Sequence, residues 1–510
     1  MSVERSLSTF PHPRFIPVND TFSERRSDAI PLALLILALG VHAWFSLVGW
    51  ENRNLPGVEF RQAQTAISAY FIQEEANFSL AYPTPVLGKP WSIPMEFPLY
   101  QWATVATSNL TGTPLTQSAR GVSLACFYLT LPAVGFFLKR LGLNRAQSWL
   151  VLASILTCPL YIFYSRAFLI ETMALMFSAW FAMGFVETMR RRSWGWLGLT
   201  SLCGAAAGAV KVTTLMVFIL PCAAWSVYLI FQSARIRQWA ELSLRLRWGL
   251  ATVLLPGLAT IGWVRFADGV KANHIQAAVL TSESMTQFNF GYGLFDVRFA
   301  PETWRAIGEI LHTGIIAIPT AAVAVIAIAA VGGRWRPAAL TSVGLFLAAP
   351  VIFPLLYAWH DYYFVANAGF LMLGIGLLFA ALWEKPAGRI IAPIALLSLG
   401  ASQAFTYQQG YYPTQAQRGA NGSKVSFTLQ ELTQRNDVLI IIGDDWNSMV
   451  PYYAKRRALM IRRTYENDLE LVGQSIANLQ GESVPLFVLM RDQVGNEQLI
   501  SLAERELGIS

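Results

Sequence analysis

Long apolar runs separated by short polar breaks dominate the first 405 residues. Eleven of them approach or exceed the ~20 residues a helix needs to cross a bilayer. They fall at 30–49, 118–138, 146–164, 168–189, 194–210, 212–231, 248–266, 311–332, 338–357, 364–383 and 389–405. From about residue 406 the pattern changes. "DVLIIIG" (437–443), "RALMIR" (457–462) and "VPLFVLMRD" (484–492) read as buried strands. "SMVPYYAKR" (448–456) and "DLELVGQSIANLQ" (468–480) read as helices between them. Strands alternating with helices predict a small α/β domain. The expected fold is a polytopic α-helical membrane protein of about eleven spans with a small C-terminal α/β domain.

Composition agrees with this pattern. The 510 residues are 54% apolar and 14% charged, against about a quarter charged in a soluble protein. Residues 1–29 are polar with no apolar core, so no cleavable signal peptide is expected there. Cys126, Cys158, Cys203 and Cys222 all lie in apolar segments, which favours packing over a disulfide framework or a metal site. The net charge of +7 needs no nucleic acid, because much of it sits in short loops.

Those loops predict orientation. Lys139, Arg140 and Arg145, then Arg190–Arg192, Arg235–Arg247, Arg334 with Arg336, and Lys385 with Arg389 mark every connection from an even to an odd span. By the positive-inside rule the N-terminal tail, 1–29, is cytoplasmic and the C-terminal region, 406–510, is extracytoplasmic. The transmembrane domain is 30–405, with long outer loops at 50–117 and 267–310.

Four outward stretches carry the candidate chemistry. In "GVEFRQAQTAISAYF" (57–71), Phe60, Ala63, Ile67 and Phe71 recur at helical spacing, which predicts an amphipathic helix along the outer interface. Glu59 begins it, where the helix dipole favours negative charge. Alone, the stretch also fits an N-terminal helix charge and an Arg61 that snorkels to headgroups. "YPTPVLGKPWSIPMEFPLYQW" (82–102) has five prolines, which exclude a helix and a central strand. It is expected to be extended and shaped by proline rather than by backbone pairing, and it presents Lys89 and Glu96 among aromatics. "YSRAFLIETMALMF" (164–177) puts Arg166 at a short outer turn and Glu171 one turn into the next span. A carboxylate there costs ~2.5–3.5 kcal/mol at a helix centre and less near its edge, so it needs a cavity or a partner such as Arg166. "WHDYYFVANAG" (359–369) lines up His360, Asp361, Tyr362 and Tyr363; such a set could ligate a metal, but one His and one Asp are weak evidence, and headgroup-level tyrosines with a capping Asp fit as well. Lys211, Lys271, His274, Arg298 and Arg305 are further outward cations or bases.

The order of these parts resembles the GT-C superfamily of lipid-dependent glycosyltransferases. "EFRQAQTA", "KPWSIPMEFPLYQW", "SRAFLIETMAL" and "HDYY" carry the likeness, over roughly residues 30–385. It is strongest to the bacterial branch with aminoarabinose transferases to lipid A, rhizobial galacturonosyltransferases and protein O-mannosyltransferases. The resemblance implies a polyprenyl-phosphate sugar donor, a site at the outer face of the cell membrane, and inversion at the anomeric carbon. It places Glu59 and Glu171 as the catalytic acids and Lys89 on the donor phosphate; the departing phosphate needs cations, for which Arg61 and Arg166 are candidates beside Lys89 because the guanidinium suits phosphate geometry. Gln62, Glu96, Tyr100, His360, Asp361 and Tyr362 then line the substrate cavity. Glu-Phe at 59–60 departs from the Asp-Glu usual in the family, which bears directly on Glu59 as the base. No metal-ligand cluster is visible and no cofactor is required by the chemistry, although some superfamily members use a divalent ion. The expected partners are the bilayer, the lipid-linked donor and a lipid, glycan or protein acceptor, without nucleic acid. A transporter or flippase of lipid-linked sugars is the alternative, but it would place charge near the midplane in repeated, broken spans.

Overall fold

The computed structural model describes residues 22–287, 292–417 and 424–507. Residues 1–21, most of the predicted cytoplasmic tail, lie outside the described residues, as do 288–291 within the second long loop. The first helix, α1 (Phe22–Ser46), is followed by α2 (Glu59–Glu75) and α3 (Leu99–Thr111) in the first long loop. The bundle continues with α4 (Leu115–Leu141), α5 (Arg145–Leu156), α6 (Pro159–Tyr164), α7 (Glu171–Arg191), α8 (Trp194–Arg235) and α9 (Trp239–Ala272). Further bundle helices are Ile318–Val331, Arg336–Ile352, Ala368–Trp383 and Gly388–Gly410.

Among the described residues, seven helices are long and apolar enough to cross a membrane. Pro301–Ile315 and Ile318–Val331, bent by 87°, make an eighth if counted as one span. The eleven predicted segments all fall on helices, but several are divided or joined. The segment 146–164 is α5 and α6, interrupted where Pro159 removes a backbone donor. The segments 194–210 and 212–231 are joined in α8, whose only non-helical residue is Lys211, in extended backbone at φ −159°, ψ 93°. A straight helix would put Gly204 and Trp225 about 31 Å apart. Yet Gly204 abuts Phe181 and Trp225 meets Phe185 at 6.1 Å, and those two phenylalanines are one turn apart on α7. The halves of α8 therefore lie side by side against α7, and the chain doubles back at Lys211.

Two expectations about the first loop need correction. α2 is not a surface helix with one face to lipid. Gln62, Gln64, Thr65 and Ser68 on its polar side are as buried as Ala63, Ile67 and Phe71. The C-terminal domain covers what the bundle leaves open, and polar groups are satisfied inside, as in the 2.9 Å bond between Ser68 and Thr84 hydroxyls. The proline-rich segment is extended, but it does use backbone pairing. Ala458 N–H donates to Pro85 O at 2.9 Å, Met460 N–H to Val86 O at 2.9 Å and Gly88 N–H to Ala458 O at 3.1 Å. Proline is tolerated because this is an edge, where Pro85 need only accept.

The C-terminal domain is a three-stranded parallel sheet in the order β2-β1-β3, from β1 (Val438–Ile442), β2 (Arg457–Met460) and β3 (Leu486–Leu489). Every residue of β1 is buried, as a central parallel strand requires. Leu439 and Ile441 pack with Ile67 and Phe71 of α2. Val438, Ile440 and Ile442 face the other way, toward Val472 and Ile476 of Leu469–Ala477 and Leu499 and Leu502 of Glu497–Leu507.

Candidate active site at the outer mouth of the bundle

The first loop, the turn of α8 and the His360–Tyr363 turn meet above the bundle and bring two ion pairs together. Arg61, on the first turn of α2, donates from Nη2 to Glu96 Oε2 at 3.0 Å and from Nη1 to Gln64 Oε1 at 3.0 Å. Lys211 Nζ lies 2.6 Å from both oxygens of Glu171. The partner of Glu171 is thus Lys211 rather than Arg166, because doubling back at residue 211 drops that ammonium onto the head of α7. Lys211 also lies over the rings of Tyr363, at 4.1 Å, and Tyr362, at 4.9 Å. Arg61 is within electrostatic range of Tyr362 and Glu171, and Lys211 within range of Arg61 and Glu96. His360 stacks on Tyr362 at 5.1 Å. These residues form one cluster, mostly buried and roofed by aromatics.

Its electrostatics follow from burial. Burial opposes the Arg61 charge, but Glu96, Tyr362 and Glu171 outweigh it and raise the guanidinium above its ordinary value. His360 is pushed down to about 4, by burial first and then by the charges of Lys211 and Arg61, so it is neutral near pH 7.

An apolar cavity of about 530 Å³ begins close beneath the cluster. Leu175, one turn below Glu171, and Ala366, at the end of the tyrosine turn, line it near the top. Phe127, Met183, Phe218 and Phe370 line its walls, and Arg140 and Arg190 are at its far end. The polar groups that hold two cations thus lie about one helical turn above a space suited to hydrocarbon, without lining it themselves.

The other predicted site residues are placed elsewhere. Glu59 opens α2 but turns toward Tyr453, whose hydroxyl it influences electrostatically. Burial raises its carboxyl above the ordinary value. Lys89 is away from the cluster. It pairs with Glu482 at 3.0 Å and donates to Gln480 O at 3.2 Å, both on the C-terminal domain. Arg166 is buried, donates to Gly49 O at 3.0 Å and lies within electrostatic range of Arg120. Gln62 is a staple, donating to Pro56 O at 2.9 Å and Gly57 O at 2.6 Å and accepting from Phe168 N–H at 2.9 Å. Tyr100 binds Ser123 Oγ at 2.8 Å and Ala119 O at 3.1 Å, locking α3 to α4. Asp361 accepts from Tyr164 at 2.5 Å and Tyr411 at 3.1 Å. Burial raises its carboxyl above the ordinary value, against those bonds.

Sequence reasoning noted Lys211 only as an outward cation and did not single out Arg120. Both carried a signal, as lone cations flanked by apolar sequence. Among the described residues, no group of three or more His, Cys, Asp or Glu is placed to hold a metal ion.

Comparison with known proteins fits this geometry. Residues 66–273 match the family model of dolichyl-phosphate-mannose-protein mannosyltransferase. The fold is similar to that of ArnT from Cupriavidus metallidurans bound to undecaprenyl phosphate, with a TM-score of 0.58 at 14% identity, over 88% of this chain and 89% of that one. It is also similar to the oligosaccharyltransferase AglB from Archaeoglobus fulgidus, in complex with an inhibitory peptide and a dolichol-phosphate. There the TM-score is 0.53 at 11% identity, over 86% of this chain and 65% of that one. No curated protein matches. The chain shares the fold of these solved structures, a likeness in line with the one the sequence motifs carry.

Proposed function

We propose that this protein is an inverting glycosyltransferase that moves a sugar from a polyprenyl-phosphate donor to a lipid, glycan or protein acceptor at the outer face of the cell membrane. One observation carries the reading: two cations, each paired with a carboxylate, lie above the end of an apolar cavity. A lipid phosphate needs that combination, with cations for the headgroup and hydrocarbon space for the chain. The ArnT and AglB structures, each with a polyprenyl-type phosphate bound, support it. In this reading the eleven helical segments span the membrane with the N-terminus cytoplasmic, and the α/β domain roofs the site outside.

The donor phosphate takes the place of Glu96 and Glu171 on Arg61 and Lys211. Guanidinium and ammonium stabilise the charge that builds on phosphate as the glycosidic C–O bond breaks. The acceptor oxygen attacks the anomeric carbon from the opposite face, which inverts it, and the acceptor proton passes to Glu59. Its raised pKa suits a general base better than an ordinary carboxylate. Glu171 keeps Lys211 in place until donor arrives, while His360 and Tyr362 line the headgroup space. Gln62, Tyr100, Arg166 and Asp361 act as positioning residues through the contacts above, and Lys89 holds the outer domain. Arg61 and Lys211 supply the charge a divalent ion would otherwise provide, so transfer is expected to survive chelator.

Purified protein incubated with defined polyprenyl-phosphate sugars, with donor loss and product read by mass spectrometry, tests the reading. Glu59→Gln should abolish transfer while expression and membrane insertion persist. Full activity in that variant would remove Glu59 as the base.

A further inference from the structure

All three strands of the C-terminal sheet end on one edge. β1 runs into Gly443-Asp444-Asp445-Trp446, β2 into Ile461-Arg462-Arg463, and β3 into Met490-Arg491-Asp492-Gln493. Ligands of open parallel sheets bind outside this edge, where the loops diverge. Most polar groups here are already matched. Glu466 accepts from Gly443 N–H at 3.1 Å and from Gln493 Nε2 at 3.4 Å. Asp444 pairs with Arg491 at 2.6 Å and accepts from Asn447 at 3.1 Å. Asp445 accepts from Arg463 N–H at 3.0 Å.

Arg462 is different. Its Nε and Nη1 are buried and have no hydrogen-bond partner. Its backbone N–H reaches Gln276 Oε1 at 3.4 Å, which fixes the residue at the seam with the second outer loop. Its guanidinium lies 6.0 Å from the Trp446 ring centroid. Trp446 in turn meets Phe60 edge-on, with centroids 5.5 Å apart. Phe60 stands between Glu59 and Arg61, so an unmatched cation and an aromatic surface face the head of α2. Donors buried without partners are costly, and the guanidinium fork fits a phosphate or carboxylate. The neighbouring indole offers an apolar surface to the C–H face of a sugar ring.

We propose that this edge is an acceptor subsite, where Arg462 binds an anionic group, phosphate or carboxylate, on a saccharide acceptor laid against Trp446. This rests on the glycosyltransferase reading and deepens it. The subsite lies on the outer-domain side of α2, whereas Arg61 and Lys211 lie on the bundle side. Acceptor and donor would therefore approach the head of α2 from opposite sides.

The test is direct binding to the purified full chain in nanodiscs, with maltose 1-phosphate, maltose, and the same phosphodisaccharide on a dodecyl tail as probes. The proposal expects both phosphorylated probes, or only the tailed one, to bind tighter than maltose. It expects Arg462→Met to weaken that binding about tenfold or more and Arg462→Lys to restore part of it, because the ammonium keeps charge but not the fork. Binding of both phosphorylated probes indicates a soluble saccharide, and binding of the tailed probe alone a lipid-linked one. Equal binding of maltose and maltose 1-phosphate with no gain for the tailed probe, or phosphate binding untouched by Arg462→Met, would overturn the proposal. Trp446→Phe should weaken all saccharide probes alike and leaves the cation in place. Failure of the wider reading looks different: no polyprenyl-phosphate sugar is consumed, while Arg462-dependent binding persists.

Discussion

Two pairs of cations lie near the outer end of the bundle, one pair buried and the other half-buried, and they are held in opposite ways. Arg120, on α4, donates to the backbone carbonyls of Gly49 at 3.2 Å, Asn52 at 2.6 Å and Asn54 at 2.8 Å, and also to Trp50 O. Arg166 joins it on Gly49 O. Neither has a carboxylate partner among the described residues. Arg61 and Lys211 bind carboxylates instead. A carbonyl that is part of the main chain cannot leave, so Arg120 is consumed in pinning the loop 49–54, and Arg166, whose Nε is buried without a hydrogen-bond partner, holds only its first residue. A carboxylate side chain can swing aside when a better anion arrives. The lesson is that a cation's partner, more than its burial, separates a binding group from a fastener.

Removing Lys211 should break that comparison most severely. Lys211→Met is expected to lower transfer about 10²–10³-fold, the usual cost of one group aimed at developing charge. It also strands Glu171, only 1% exposed, and breaking a buried pair from one side costs about 3–5 kcal/mol. The double variant Lys211→Met with Glu171→Leu should recover thermal stability in detergent and remain inactive. Recovered activity would mean that the pair is a fastener after all.

Arg120→Met should produce the reverse. The carbonyls of Trp50, Asn52 and Asn54 lose their side-chain donor while Gly49 O keeps Arg166, and stability is expected to fall by about 3–5 kcal/mol. The folded fraction should keep the wild-type donor KM. A donor KM raised tenfold in protein that melts normally would place Arg120 among the binding groups.

Glu59 stands between the two groups, nearer the fasteners, and its pH dependence sharpens where the boundary runs. Burial raises its carboxyl, so a base at this position fills with protons at a higher pH than a free carboxylate does. kcat/KM should fall as pH drops through that raised value and be constant above it. Glu59→Asp should lower the rate and displace this acid limb. If the limb is unmoved, another group sets it.

These distinctions also mark what the sequence could reveal. The three strands of the C-terminal domain and the two helices between them were legible because alternating apolar segments of strand and helix length leave few other packings, whereas Lys424–Leu432 and Glu497–Leu507 were not read. Glu171 was legible as a carboxylate inside a span that needed a partner. The fold-back at residue 211 was legible too, as the break between the segments 194–210 and 212–231; that it sets Lys211 on Glu171 was not, because that depends on how this hairpin packs against the head of α7. The burial of α2 was equally hidden. Its amphipathic pattern is the same whether lipid or a second domain covers it, and the covering residues, Leu439 and Ile441, lie more than 350 positions away. Glu96 was visible as a charge among aromatics, whereas its pairing with Arg61 needed the loop's path.

The smallest effect belongs to Lys89, the cation that motif resemblance puts on the donor phosphate and geometry puts on the outer domain. Its ion pair with Glu482 is partly exposed, at 30% and 21% for the two side chains. Such pairs contribute about 0–1 kcal/mol. The domain is held far more firmly by the apolar contacts between Ile67, Phe71, Leu439 and Ile441 and by the edge pairing of Pro85–Gly88 with β2. Lys89→Met should therefore change stability by less than about 1 kcal/mol and leave transfer within about twofold, as read by product formation at saturating and limiting donor. A tenfold rise in donor KM at unchanged stability would show that Lys89 exchanges Glu482 for phosphate during the cycle. It would then join Arg61 and Lys211, as a third cation held by a carboxylate that can leave.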